Sequence, residues 1–172
     1  MHRFATCQRG FTLVELVAVL VLLGILSAVA FSRMSRTDVY QDRIFQDSLQ
    51  TSLRLAQRTA LSQHASVVEW QLSHTGTALW HYAIRLDGSE QLGNDLESTL
   101  PVAYSVTLSD SSVLSGSLST GQALTLRFDR LGNFTQAGTG TPGSIRSSLQ
   151  LTMTGRLLCV SPTGYAYEGS CR

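Results

Sequence analysis

The run from Leu16 to Phe31 passes without one charged residue, and the residue just before it is Glu15. Taken from Phe11 to Phe31, the segment is about 21 residues. It would rise roughly 32 Å as a helix, enough to cross a hydrocarbon core of about 30 Å. That length of apolar sequence decides how the rest of the chain can be arranged. A carboxylate at its head costs about 2.5–3.5 kcal/mol in lipid even on mild insertion scales. Such a residue is a functional-site candidate that needs a partner. The preceding Arg9-Gly10-Phe11-Thr12 offers one. If the chain is cut after Gly10, Phe11 becomes a new N-terminus, and its amine lies one helical turn from Glu15, on the same chain or on a neighbour's.

Two simpler readings use the same residues. An ordinary secretory signal would take His2, Arg3 and Arg9 as its basic region. Leu16 to Leu26 would be its apolar core and Ala28-Val29-Ala30 its cleavage site. A plain signal anchor would use the whole span. Neither gives Glu15 or Thr12 a task. Charge does not set the orientation: Arg3 and Arg9 precede the span, while Arg33, Arg36 and Arg43 follow it.

Gly10, Phe11, Thr12, Leu13 and Glu15, followed by Leu16 to Ala30, resemble the class III leader of type IV prepilins and type II secretion pseudopilins. The resemblance implies a prepilin peptidase that cuts between Gly10 and Phe11 and methylates the Phe11 amine. It also implies a single-pass inner-membrane protein with a cytoplasmic N-terminus and a periplasmic head, later built into a pilus outside the cell. The implied partners are the peptidase, membrane lipid, other major and minor pilins and an inner-membrane assembly platform. Glu15 would set subunit register by pairing with a neighbour's N-terminal amine. Many members carry a Pro soon after the apolar core; here Ala30-Phe31-Ser32-Arg33 has none, so the only helix-weakening residue of the span is Gly24, worth about 1 kcal/mol against Ala.

The chain has 172 residues and a formal net charge of +1, with Arg as its only basic residue besides His. Near-zero charge argues against wholesale attraction to nucleic acid. Of its three cysteines, Cys7 lies in the leader. Cys159 and Cys171 remain, an even pair that export to an oxidising compartment would bridge. Two free thiols or a metal pair are the alternatives, the latter with no further His or Cys nearby. In type IV pilins a C-terminal disulfide of this kind ties down the last strand.

From Val39 to Ala65 there is no Gly or Pro. Tyr40, Ile44, Phe45, Leu49, Leu53, Ala56, Ala60 and Leu61 recur at three- and four-residue intervals, one amphipathic face. Asp42, Asp47, Arg54, Arg58 and Gln63 occupy the other. One helix of about 80 Å from Phe11 to His64 is therefore expected. After Ala65 the period becomes two. Val68-Trp70-Leu72 and Trp80-Tyr82-Ile84-Leu86 alternate with polar residues, and Asp87-Gly88 offers a turn. Further strands are expected over Val102–Leu108, Leu124–Phe128, Ser148–Met153 and Leu157–Val160. Leu131-Gly132-Asn133 reads as a turn, and Ala137–Ser144 as an exposed, mobile loop. The fold class is α+β: a leader at 1–10, a transmembrane helix at 11–32, the amphipathic half of the same helix at 33–65, and a mostly antiparallel β head at 66–172.

Arg54-Leu55-Ala56-Gln57-Arg58-Thr59-Ala60-Leu61, leading into Val67-Val68, is similar to the helix end of GspH and FimT pseudopilins. Leu158-Cys159-Val160 and Gly164-Tyr165-Ala166-Tyr167, closed by Cys171, look like the end of MshC-type minor pilins of mannose-sensitive haemagglutinin (MSHA) pili. A minor pilin that joins or primes a filament for adhesion is therefore expected. A type II secretion pseudopilin is the nearest competitor, and a DNA-binding pilin of the FimT kind the next. For the last, Arg127, Arg130, Arg146, Arg156 and Arg172 could form a patch, but Asp129 and Glu168 interrupt it. Gly138–Gly143 lacks the Lys of a phosphate loop. His64, His74 and His81 have no metal spacing, and no Gly-x-Ser-x-Gly elbow occurs. The sequence thus points to no catalysis, metal or cofactor.

Overall fold

The computed structural model describes residues 12–34, 37–63 and 66–172, with helical side chains described over 12–27 and from Tyr40 onward. The chain divides into two compact units, Met1–Tyr40 and Gln41–Arg172. Two helices open it: α1, Leu13–Met34, and α2, Thr37–Ser62. The single helix expected from Phe11 to His64 is thus described in two pieces, and residues 35 and 36 between them lie outside the described residues.

Thr12 starts α1. Its hydroxyl accepts the Glu15 N–H at 3.3 Å, and its carbonyl accepts the same N–H at 3.1 Å and that of Leu16 at 3.3 Å. These bonds satisfy amides that a helix start leaves without partners. From Leu13 to Leu26 the large apolar side chains of α1 are all exposed. Among the described residues no helix is long and apolar enough to cross a membrane.

The stripe on α2 is buried at its centre. Phe45, Leu49, Leu53, Ala56 and Ala60 are covered, while Tyr40, Ile44 and Leu61, expected on the same face, are exposed at its ends. Two polar residues are buried with it. The Ser52 hydroxyl donates to the Leu49 carbonyl at 2.8 Å and accepts the Trp70 indole N–H at 2.8 Å. The Gln46 side-chain carbonyl accepts from Arg156 at 3.0 Å.

Among the described residues eleven strands follow, in two antiparallel sheets. The first contains β1 (Val68–Gly76), β2 (Leu79–Leu86), β3 (Ser89–Glu97), β6 (Ala123–Phe128), β7 (Phe134–Gly138) and β8 (Gly143–Ser144), in the order β3-β2-β1-β6-β7-β8. The second contains β4 (Ala103–Thr107), β5 (Val113–Ser117), β9 (Leu149–Met153), β10 (Arg156–Val160) and β11 (Ala166–Glu168), in the order β11-β10-β9-β4-β5. Val68, Trp70 and Leu72 of β1, Leu124, Leu126 and Phe128 of β6, and Leu149, Leu151 and Met153 of β9 join the α2 stripe in one core. Each such side chain, fully buried, stabilises the fold by about 1.5–3 kcal/mol relative to exposure.

Asp87 and Gly88 both take positive φ, 49° and 83°, as a two-residue hairpin of the primed kind requires. One expectation fails. Ala137–Ser144 is a tight hairpin rather than a mobile loop, with Gln136 opposite Ser144 and Ala137 opposite Gly143. Gly138 is needed there, since a Cβ would stand 2.8 Å from the Pro142 Cα.

Candidate functional site

The residues singled out by the sequence fall at the start of α1 and at the C-terminus. Gly10 and Phe11 lie outside the described residues. Glu15 stands in the first turn of α1 with its side chain exposed, where a carboxylate complements the positive end of the helix. Thr12-Leu13-Val14-Glu15 has the Ser/Thr-x-x-Glu spacing of a capping box. This signal is in the sequence, and a search for a charge partner for Glu15 alone passes over it.

At the other end, Cys159 and Cys171 form a disulfide with Cα atoms 5.2 Å apart. Cys159 is buried in β10, opposite Tyr167 of β11 and Gln150 of β9. Gln150 organises the tail. Its amide nitrogen donates to the carbonyls of Leu158 at 3.2 Å and Gly169 at 3.4 Å, and its carbonyl accepts the Cys171 N–H at 2.8 Å. Nothing in the sequence marks Gln150 for this task.

The polar face of α2 closes over the same tail. Arg54 donates to the Ala166 carbonyl at 2.9 Å and to the Tyr165 hydroxyl at 3.3 Å, with its guanidinium carbon 5.1 Å from the centre of the Tyr165 ring. Gln57 donates to the Thr163 carbonyl at 2.8 Å. Arg54 was expected on the face opposite the core stripe. It lies beside that stripe and uses its charge on the C-terminal loop. Gly164, at φ 79°, lies so close to Gly132 that a Cβ would overlap the Gly132 carbonyl. The loop after β10 therefore rests against the β6–β7 turn.

A polar row crosses the first sheet: Glu90, Arg85, Glu69, Arg127, Gln136 and Ser144 are successive register partners. Within it Arg127 meets Glu69 at 2.6 Å and Gln136 at 3.1 Å. On the same two outer strands, His81 lies 2.7 Å from Asp95 and 3.4 Å from Glu90. His74 stacks on Trp80 at 4.1 Å. Among the described residues no group of His, Cys, Asp and Glu could hold a metal ion. Three of the five arginines considered for nucleic acid are engaged separately: Arg127 with Glu69, Arg156 with Gln46, and Arg146 with the Ser111 hydroxyl at 3.3 Å.

Asp129 braces the β6–β7 turn. Its carboxylate accepts the N–H groups of Leu131 at 2.9 Å and Asn133 at 2.8 Å, and the Asn133 amide at 3.0 Å. Partial burial pushes the carboxyl up, but the bonds from Asn133 and Leu131 and the Arg130 charge outweigh it, holding the group below the usual carboxylate range.

Comparison with known proteins gives two family matches. Residues 6–31 match the prokaryotic N-terminal methylation motif, and residues 46–164 match the type II transport protein GspH. No curated protein and no solved structure matches. The first match covers the leader junction and the whole apolar run; the second covers most of α2, the strands from β1 to β10 and the loop up to Gly164. These are families of structural subunits, and the chain, with its methylation motif, its α+β head and its C-terminal disulfide, belongs to the GspH family among the type IV pilin and pseudopilin proteins.

Proposed function

We propose that the chain is a minor pilin of an MSHA-like type IV pilus. It is made as a prepilin, cut between Gly10 and Phe11, methylated on Phe11, and held in the inner membrane by residues 11–32 until it enters or primes the filament. The observation that supports this reading is the pairing of the methylation motif with an α1 whose described apolar side chains are all exposed. In a filament core these side chains pack against other helices, and Glu15 meets the terminal amine of a neighbour. An unpaired carboxylate in that setting is costly, so the pair fixes register more than it adds stability. The Cys159–Cys171 bridge favours the pilus. A second reading, a pseudopilin of type II secretion, is favoured by the GspH match over residues 46–164.

N-terminal sequencing of the mature protein is expected to begin at N-methylated Phe11; a terminus at Phe31 would refute the reading. Glu15→Val is expected to leave cleavage and insertion intact while depleting the protein from sheared filaments. Equal incorporation of wild type and variant would rule out the pairing. Deleting the gene and assaying pili and protein secretion separately decides between the two filaments.

A further inference from the structure

Strand β3 closes one end of the first sheet, and among the described residues it pairs only with β2. From Leu92 to Glu97 its register with β2 is regular, and Gln91, which has no register partner, makes a bulge where that stretch ends. The regular stretch is about 20 Å of strand, and its outer row of backbone N–H and C=O groups faces solvent. Sheet edges are usually blunted by Pro or Lys or covered by another element. Ser89–Glu97 contains neither residue, and its side chains are nearly all exposed.

The two faces of this edge differ. Asp95 and Glu97, two residues apart, share the outer face with Glu90. Asp95 remains 65% exposed although it lies 2.7 Å from His81, and Glu90 lies 3.8 Å from Arg85. The strand itself carries these three carboxylates and no basic residue. Leu92, Asn94 and Leu96 alternate with them on the face toward α2. Leu96 packs against the core, while Leu92 is 44% exposed. Along this inner face Ile44 of α2, 46% exposed, borders two hollows. Tyr82, the register partner of Asn94, lines the one of about 290 Å³; Leu96 lines the one of about 250 Å³. Asn94 and Leu96 are one side-chain repeat apart, about 7 Å. The hollows therefore suit successive inward side chains of a strand lying alongside.

We propose that β3 is a docking edge. An extended segment of a neighbouring subunit of another kind pairs with Leu92–Glu97 as a further strand of the sheet, its apolar side chains over Ile44 and its basic side chains beside Asp95 and Glu97. In such a contact main-chain bonds give affinity, and pockets for alternate side chains give selectivity. Opposite charges on adjacent strands attract and like charges repel, so the segment is basic on its outer face. A second copy of this chain offers no such strand. Its other sheet edges are β5, β8 and β11, and none of them contains a basic residue. Pairing β3 with itself would set carboxylates against carboxylates, so the edge rejects its own kind. The inference rests on the proposed function only in drawing the segment from a different subunit, as the place of a minor pilin requires.

The test uses the detergent-solubilised full chain and dye-labelled eight-residue peptides, read by fluorescence anisotropy. A peptide of alternating valine and arginine is expected to bind, and one of alternating valine and glutamate to bind at least about tenfold more weakly. Asp95→Lys combined with Glu97→Lys should reverse that preference; Glu97→Lys alone serves if the pair melts early. Ile44→Ser should weaken the valine–arginine peptide about fivefold. N-methylation of every valine, or of every arginine, blocks one edge of the peptide. One of these two peptides should lose binding and the other keep it. Thermal unfolding followed by tryptophan fluorescence confirms a folded head in each variant. No binding of the valine–arginine peptide, equal binding of the two charge types, indifference to charge reversal or to Ile44→Ser, or the same result from both methylated peptides would each overturn the proposal. So would Leu92→Cys chains, in a Cys7→Ser background, that cross-link to one another on mild oxidation. A mature terminus other than Phe11 would sink the proposed function and leave this edge standing, while failure of the peptides leaves processing at Gly10 untouched.

Discussion

Helix α1 and the head treat the same kinds of side chain in opposite ways. From Leu13 to Leu26, the leucines, valines and isoleucine of α1 are exposed. In the head, Phe45, Leu49, Leu53, Trp70, Leu126 and Leu151 are buried in one core. The difference lies in periodicity. α2 has one apolar stripe, which a single neighbouring layer can cover; α1 is apolar on every side, and only surroundings that enclose it can do so. An all-round apolar helix states a need for lipid or other helices that its own chain does not meet. A striped helix states a need that its own strands satisfy.

The sharpest way to break this contrast is a matched pair of truncations. Leu53→Ala is expected to destabilise the head by about 2–5 kcal/mol, the usual cost of a core cavity. Leu20→Ala should leave head unfolding unchanged. Both are read by thermal unfolding of the detergent-solubilised full chain, followed by tryptophan fluorescence. An equal loss from Leu20→Ala would erase the distinction. A smaller effect is expected from replacing Cys159 and Cys171 together by Ala. The loop closed by their 12-residue separation should be worth about 2–3 kcal/mol by restricting the unfolded chain, again within the head alone. Denaturant midpoints of the two proteins measure it.

The smallest expected effect is Asp129→Asn. The folded carboxyl lies below its ordinary value, so its contribution is fully present above the unfolded carboxylate pKa of about 3.9 and is lost as pH falls through the folded value. The variant should melt slightly lower than wild type near neutral pH, and the two melting curves should converge as pH falls through the lowered folded value. A gap that widens on acidification would contradict the assignment.

Much of this architecture was legible before any coordinates. The central α2 stripe and the strands around Val68, Trp80, Leu124, Leu149 and Leu158 announce themselves, because a buried face imposes its period on the sequence. β3 does not. Its Ser89–Glu97 segment forms a sheet edge and is almost wholly exposed, so no burial pattern is imposed on it. β5, at the opposite sheet's edge, is silent for the same reason. The Cys159–Cys171 pair was readable from cysteine arithmetic. Gln150 was not, because its task depends on β9 and the tail meeting in space. Arg54 misled, since a charged residue beside an apolar stripe carries no mark of the carbonyl it will find far along the chain.

That distance has a kinetic meaning. The bonds from Arg54 and Gln57 to the C-terminal loop join residues 112 and 106 positions apart. Contacts of such separation form late, after the entropy of a long loop has been overcome. The helix can be made early, yet its polar face must wait for the segment Thr163–Ala166 before it is clasped. Until that segment arrives, the head has its ladders but not its latch, and the disulfide that follows at Cys171 seals a structure which only the last-made strand could complete.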